Sequence, residues 1–250
     1  MNARAARGFL LVTLLVLACT PGTPAAVVEL AASRDNTLYE DPGGSTSNGV
    51  GEYLFTGMTA RRSIRRALIC FDVAAAVPAG ATITGAILRL HMSRTNTASE
   101  PVALHRVLAD WGEGESDAFG EEGAGTGAAD GDATWLHSFY EASLWQTPGG
   151  DFDPTPSAAI GVVGNGFYIW GVGGELVADV QNWLGAPAGN FGWLLRGGEE
   201  FDTTAKRFDS REHSDPSVRP VLFVEYTPVP EGRAGALLFV LVGAARGMRR

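Results

Sequence analysis

The sequence predicts an all-β fold, a β-sandwich or jelly roll carrying one short helix. Three observations predict it. Residues alternate with the two-residue period of a half-buried strand, as in Ala86, Leu88, Leu90 and Met92 against Ile87, Arg89 and His91. Turn formers divide the chain at Pro42-Gly43-Gly44, Pro78-Ala79-Gly80, Pro148-Gly149-Gly150 and Gly197-Gly198. The chain also holds 33 Gly among its 250 residues, which suits many tight turns.

The elements follow in order. Strands are expected at 27–33, 51–56, 64–73, 86–92, 101–108, 159–163, 166–172, 190–196, 204–210 and 221–226. Gly112 to Gly131, dense in Gly, Ala and acid, reads as a long functional or mobile loop. Leu176, Val177, Val180, Trp183 and Leu184 share one face at helical spacing, and Gly185 and Pro187 stop the run, so one short helix covers the sandwich. One domain is expected over 26–228.

Charge and cysteine usage exclude several classes. The net charge of −9 opposes nucleic-acid binding, which needs a basic face. Residues 26–230 alone carry 13 Lys plus Arg against 27 Asp plus Glu, and Lys206 is the only lysine. Cys19 and Cys70 make no disulfide framework, and Cys70 reads as a small buried strand residue.

Both ends read as targeting segments. Arg4 and Arg7 precede an apolar run from Gly8 to Ala18, and Thr23-Pro24-Ala25 offers small residues for cleavage, so 1–25 is expected to be a signal peptide. A competing reading takes Val16-Leu17-Ala18-Cys19 as a lipoprotein site with Cys19 lipidated. At the other end, Pro228, Pro230 and Glu231 lead into the apolar run Ala234 to Ala245 and then Arg246, Arg249 and Arg250. Twelve helical residues reach about 18 Å, short of the roughly 30 Å of a bilayer core. This tail, 229–250, resembles the PEP-CTERM sorting signal, with Gly232 standing where that pattern has a second Pro. The resemblance implies an exosortase-type sorting enzyme as partner, transient membrane contact through the tail, and the cell surface or extracellular matrix of a Gram-negative bacterium.

Several stretches together suggest a family. They are Arg66-Ala67-Leu68-Ile69-Cys70-Phe71-Asp72-Val73, Ala86-Ile87-Leu88-Arg89-Leu90, Trp111-Gly112-Glu113-Gly114 and Gly131-Asp132-Ala133-Thr134-Trp135. Asp179-Val180-Gln181-Asn182-Trp183-Leu184, Phe208-Asp209-Ser210-Arg211-Glu212 and Arg219 to Tyr226 complete them. In this order they resemble the DNRLRE domain family over most of 34–227, although the literal DNRLRE string is absent. The resemblance implies an exported jelly roll without catalytic machinery. Some relatives bind polysaccharide, including acidic ones such as alginate, and others are surface proteins.

The residues themselves offer little catalysis. There is no Gly-x-Ser-x-Gly elbow, His-Glu-x-x-His, phosphate loop or cysteine pair for metal. Loop carboxylates suit calcium better than acid–base work, and Asp130, Asp132, Asp151 and Asp153 are the candidate ligands. Trp145, Tyr168 and Trp170 are candidate sugar-stacking residues, with Trp145 and Trp170 expected to be exposed. Arg196, Lys206 and Arg211 come from neighbouring late segments, and Arg196 and Arg211 are candidate guanidinium forks for an acidic sugar. The structural alternative pairs Arg211 with Glu212. The reading is a non-catalytic exported surface or matrix protein that binds extracellular polysaccharide. The alternatives are a structural or adhesive subunit without glycan binding and a polysaccharide-active enzyme.

Overall fold

Two antiparallel layers, joined by one strand that belongs to both, enclose the main core. The computed structural model describes residues 24–97 and 99–229. Residues 1–23 and 230–250, which include Cys19 and nearly all of the expected signal peptide and sorting tail, therefore lie outside the described residues. The strands are β1 (Ala26–Ala31), β2 (Arg34–Tyr39), β3 (Thr46–Ser47), β4 (Tyr53–Met58), β5 (Ile64–Cys70), β6 (Thr82–Thr95), β7 (Glu100–Arg106), β8 (Thr126–Gly127), β9 (His137–Phe139), β10 (Ser143–Leu144), β11 (Ala158–Val162), β12 (Gly166–Trp170), β13 (Trp193–Arg196), β14 (Lys206–Asp209) and β15 (Val221–Thr227). A one-turn helix α1 (Val73–Ala76) and the longer α2 (Val177–Gly185) interrupt them.

The first layer is built on β6. Along one edge β6 pairs first with β15 and then with β14; β12 pairs along the other edge. β1 adds to β15 with Ala26 opposite Tyr226 and Ala31 opposite Val221. β14 pairs onward with β4. The second layer runs β2, β5, β13, β7, β11. β4 turns the corner, since Gly57 and Met58 pair with Arg65 and Ile64 of β5. Gly57 has φ 95°, a conformation open to Gly.

Alternation delivers the core. Leu88, Leu90, Met92, Trp170, Phe208 and Leu222 of the first layer meet Ala67, Ile69, Val102, Leu104, Trp193 and Leu195 of the second. α2 buries Val180, Trp183 and Leu184, and Trp183 packs edge-on against Trp193 with centroids 4.5 Å apart. Gln181 fixes the helix to the start of β6: its Oε1 accepts from Ile83 N–H at 2.9 Å and its Nε2 donates to the Ala81 carbonyl at 3.2 Å.

The second layer buries its other face as well. Leu38, Leu68, Cys70 and Leu194 form a second core with Trp111, Trp135 and Trp145. The segment expected to be a loose acidic loop belongs to this cover. Glu122 points inward, its carboxylate accepting from Asn48 Nδ2 and from the Glu52 and Tyr53 N–H groups, and Asp132 just beyond the segment is buried and accepts from Ala129 N–H. Burial raises the pKa of both. Cys70 is buried in β5, as expected, and burial pushes its thiol upward.

Candidate functional site

Several residues expected to meet a ligand are instead structural. Trp170 has no exposed surface, packs on Phe208, and donates through Nε1 to the Val102 carbonyl across the sandwich at 2.9 Å. Trp145 is 5% exposed and donates to the Thr134 carbonyl at 2.9 Å. Their expected exposure is thus corrected: each is a large ring with one N–H, and burial with a carbonyl partner satisfies both parts. Tyr168 shares the inward face with Trp170, and its hydroxyl closes the β11–β12 turn by accepting from the Val163 and Gly164 N–H groups and donating to the Gly164 carbonyl. The two-residue spacing correctly put Tyr168 and Trp170 on one face, but that face is the inner one. The outer face of β12 carries Phe167 and Ile169, 51% and 41% exposed.

The four candidate calcium ligands are dispersed over different tasks. Asp130 is exposed, and Asp132 holds the Ala129 N–H. Asp151 accepts from the Gln146 and Thr147 N–H groups at 2.9 Å each. Asp153 holds the Thr155 N–H and lies 3.6 Å from Arg106.

Among the described residues, Asp35, Glu113 and Glu212 are the one group of acidic, His or Cys side chains close enough together to share a cation. A guanidinium already serves them. Arg211 bonds Glu113 through both Nε and Nη2 at 2.7 Å, lies 2.8 Å from Glu212, and gives its backbone N–H to Asp35. The pairing of Arg211 with Glu212 follows the structural alternative, while Glu113 is the stronger partner. Burial first, then the nearby Glu212 charge, holds the Asp35 carboxyl well above the usual range; burial likewise raises Glu212. The cluster ties together β2, the segment after β7 and the segment after β14. Arg196 is also committed, since Glu199 binds both Arg196 and Arg66.

A different place gathers cations. A cavity of about 210 Å³ opens beside β4, β14 and the end of β6, lined by Phe55, Ala60 and Ala205 and by Arg65, Arg94, Lys206 and Arg207. Glu121 is the one carboxylate among the lining residues, and it is shared by Arg94 and Arg207. Arg207 lies 3.8 Å above the Tyr53 ring and donates to Ser93 Oγ. Arg65 stacks on Tyr39 and donates to carbonyl and hydroxyl oxygens of Ile64, Gly123 and Ser63, and burial lowers its pKa. Lys206 is buried, gives Nζ to Thr95 Oγ1 at 2.7 Å, and has its pKa lowered by burial, with Glu100 pulling the other way.

The domain is acidic overall, yet this cavity concentrates positive charge over an apolar floor. That combination accommodates a ligand with a carboxylate and an apolar ring face. Of the lining residues, Lys206 carries a signal in the sequence, as one of the late-segment charges. Arg94 and Arg207 carried no motif. No family model matches the chain, and no curated protein matches its sequence.

Proposed function

We propose that this is an exported, non-catalytic surface or matrix protein, similar to the DNRLRE domain family, that binds polysaccharide through the outer face of β4, β14 and β6. The carrying observation is the cavity lined by Arg65, Arg94, Lys206 and Arg207 in an otherwise acidic domain, with Glu121, held by Arg94 and Arg207, the one lining carboxylate. The guanidinium forks of Arg94 and Arg207 suit a carboxylate, and the Phe55 floor suits a pyranose face. A polymer bearing uronic acids offers both features at once. The non-catalytic reading is supported by the carboxylates: Glu121 is held by two arginines, and the Asp35–Glu113–Glu212 group is occupied by Arg211. Glycosidase work needs a pair of carboxylates free to hold a proton and a nucleophile or water across a cleft. Export and sorting rest on the terminal segments, 1–25 and 229–250.

The test is migration of the purified protein through gels containing alginate, a neutral glucan or no polymer, with calcium and with EDTA. Alginate is expected to retard it, less so as salt rises, and equally in calcium and EDTA. Replacing Arg94 and Arg207 together with Gln is expected to weaken retardation about tenfold or more, as two charge-assisted contacts are lost. No retardation by any polymer would overturn the proposal in favour of a structural or adhesive subunit.

A further inference from the structure

Arg89 differs from the other arginines of the first layer. It stands in the middle of β6 on the outer face, opposite Ile169 of β12 and Val221 of β15. Its guanidinium carbon lies 5.2 Å from the Phe167 ring centroid and 5.3 Å from that of Phe223, so two rings clamp it. Among the described residues it enters no ion pair, and its buried Nε has no hydrogen-bond partner. Of the twelve described arginines eight pair with a carboxylate; among the other four, Arg65 and Arg219 bond carbonyl oxygens and Arg61 is exposed, which leaves Arg89 as the half-buried one without a partner. Arg66, Arg94, Arg196, Arg207 and Arg211 each pair with a carboxylate. Leaving guanidinium donors without an acceptor costs stability, more so where the rings beside it thin the surrounding water. Nε itself is closed to solvent, so an anion from outside the chain would meet this guanidinium at its two Nη groups.

The surroundings define the kind of anion. Phe167 is half-exposed on β12, with Ile169 beside it. A bare guanidinium bordered by an open aromatic face complements a sugar with one apolar face and one carboxylate. Arg94 of the cationic cavity lies five residues further along the same strand. At about 3.3 Å per residue the two arginines stand roughly 16 Å apart, a span of several sugar units.

We infer that Arg89, Phe167 and Phe223 form a second anionic-sugar subsite, and that the outer face of β6 is a track for an extended polyuronate chain filling both subsites. The inference rests on the polysaccharide reading above. Its consequence is length selectivity. A chain long enough to reach both subsites binds the second with the advantage of tethering, while a disaccharide fills one.

Titration calorimetry with a uronic acid disaccharide and a decasaccharide of the same composition tests this, with thermal unfolding as the check that each variant folds. The wild-type protein is expected to bind the decasaccharide more than tenfold more tightly. Arg89→Gln, and separately Phe167→Ser, are expected to remove about tenfold of decasaccharide affinity while leaving at least half the disaccharide affinity. Arg94→Gln is expected to weaken both probes. Decasaccharide affinity within twofold of wild type in both Arg89→Gln and Phe167→Ser would overturn the second subsite while leaving the polysaccharide reading intact. Binding of neither probe by the wild type would overturn both. Concentration-dependent self-association that Arg89→Gln abolishes, with no effect on either probe, would make this face a contact between copies and overturn the subsite.

Discussion

Replacing Glu113 with Gln attacks the junction that joins three distant parts of the chain. Glu113 accepts two hydrogen bonds from Arg211 at 2.7 Å and a third from the Asp35 N–H at 2.8 Å. A charge-assisted bond contributes about 1.5–3 kcal/mol, and removing one member of a buried pair costs about 3–5 kcal/mol. Two features pull the expected loss toward the lower end. Glu212 remains 2.8 Å from Arg211 to share its charge, and the side chains are partly solvated, at 33% for Arg211 and 18% for Glu113. The expected destabilisation is therefore about 3 kcal/mol, a fall of roughly 6–12 °C in Tm for a domain of this size. Urea unfolding followed by tryptophan fluorescence measures it, with an unchanged m-value as evidence that the transition is the same. Arg94→Gln, which removes an exposed pair, is the control and is expected to cost less than about 1 kcal/mol. A loss below about 1 kcal/mol for Glu113→Gln would refute the reasoning, because the junction would then behave as an ordinary surface ion pair.

Asp35 and Glu212 have folded-state pKa values above their unfolded ones, so the folded state binds more protons. Their contribution is full below about pH 4 and is lost as pH rises through the folded values. Asp35→Asn is expected to match the wild type at the acid end and gain on it as pH rises, read as the difference in urea midpoint across pH; a constant difference would contradict this. Trp170→Ala is expected to cost about 3–5 kcal/mol, because it leaves a cavity between the layers and an orphaned Val102 carbonyl. Asp151→Ala is expected to cost about 1–2 kcal/mol through its two lost N–H contacts, equally in calcium and in EDTA, and a calcium-dependent difference would return that aspartate to ion binding.

The strands that alternate cleanly were legible in the sequence. β6 and β15 fall where the period-two pattern put them, β12 falls within its expected 166–172, and α2 carries the expected apolar face and ends at Gly185 as expected. β2 was not legible. Its Asp35, Asn36 and Thr37 look like loop residues, yet all three are buried, because they bond to Arg211, to Ser47 and to the Phe55 N–H. A strand whose polar side chains are satisfied by distant segments leaves no hydrophobic period to read. The same holds for the acidic stretch after β7: composition alone suggests a solvated loop, whereas Glu113, Glu122 and Asp132 turn inward to specific donors. For the candidate site, spacing could say that Tyr168 and Trp170 share a face but not which face, since strand parity is symmetric until something packs on one side. Arg94 and Arg207 meet only because a bulge between Arg207 and Phe208 shifts the β6–β14 register. Nothing local to either residue encodes that meeting.

The pairing of the first and last strands sets how the domain responds to tension. Ala26 at the start of β1 lies opposite Tyr226 near the end of β15, so the two ends of the domain leave from the same corner. A pull between them loads that corner alone and opens the ladder as a zipper, one rung at a time, instead of shearing all its rungs together. Peeling would free β1 at low force while β15 still borders β6. The outer face of β6 would keep its shape under such a load, with the edge strand yielding first.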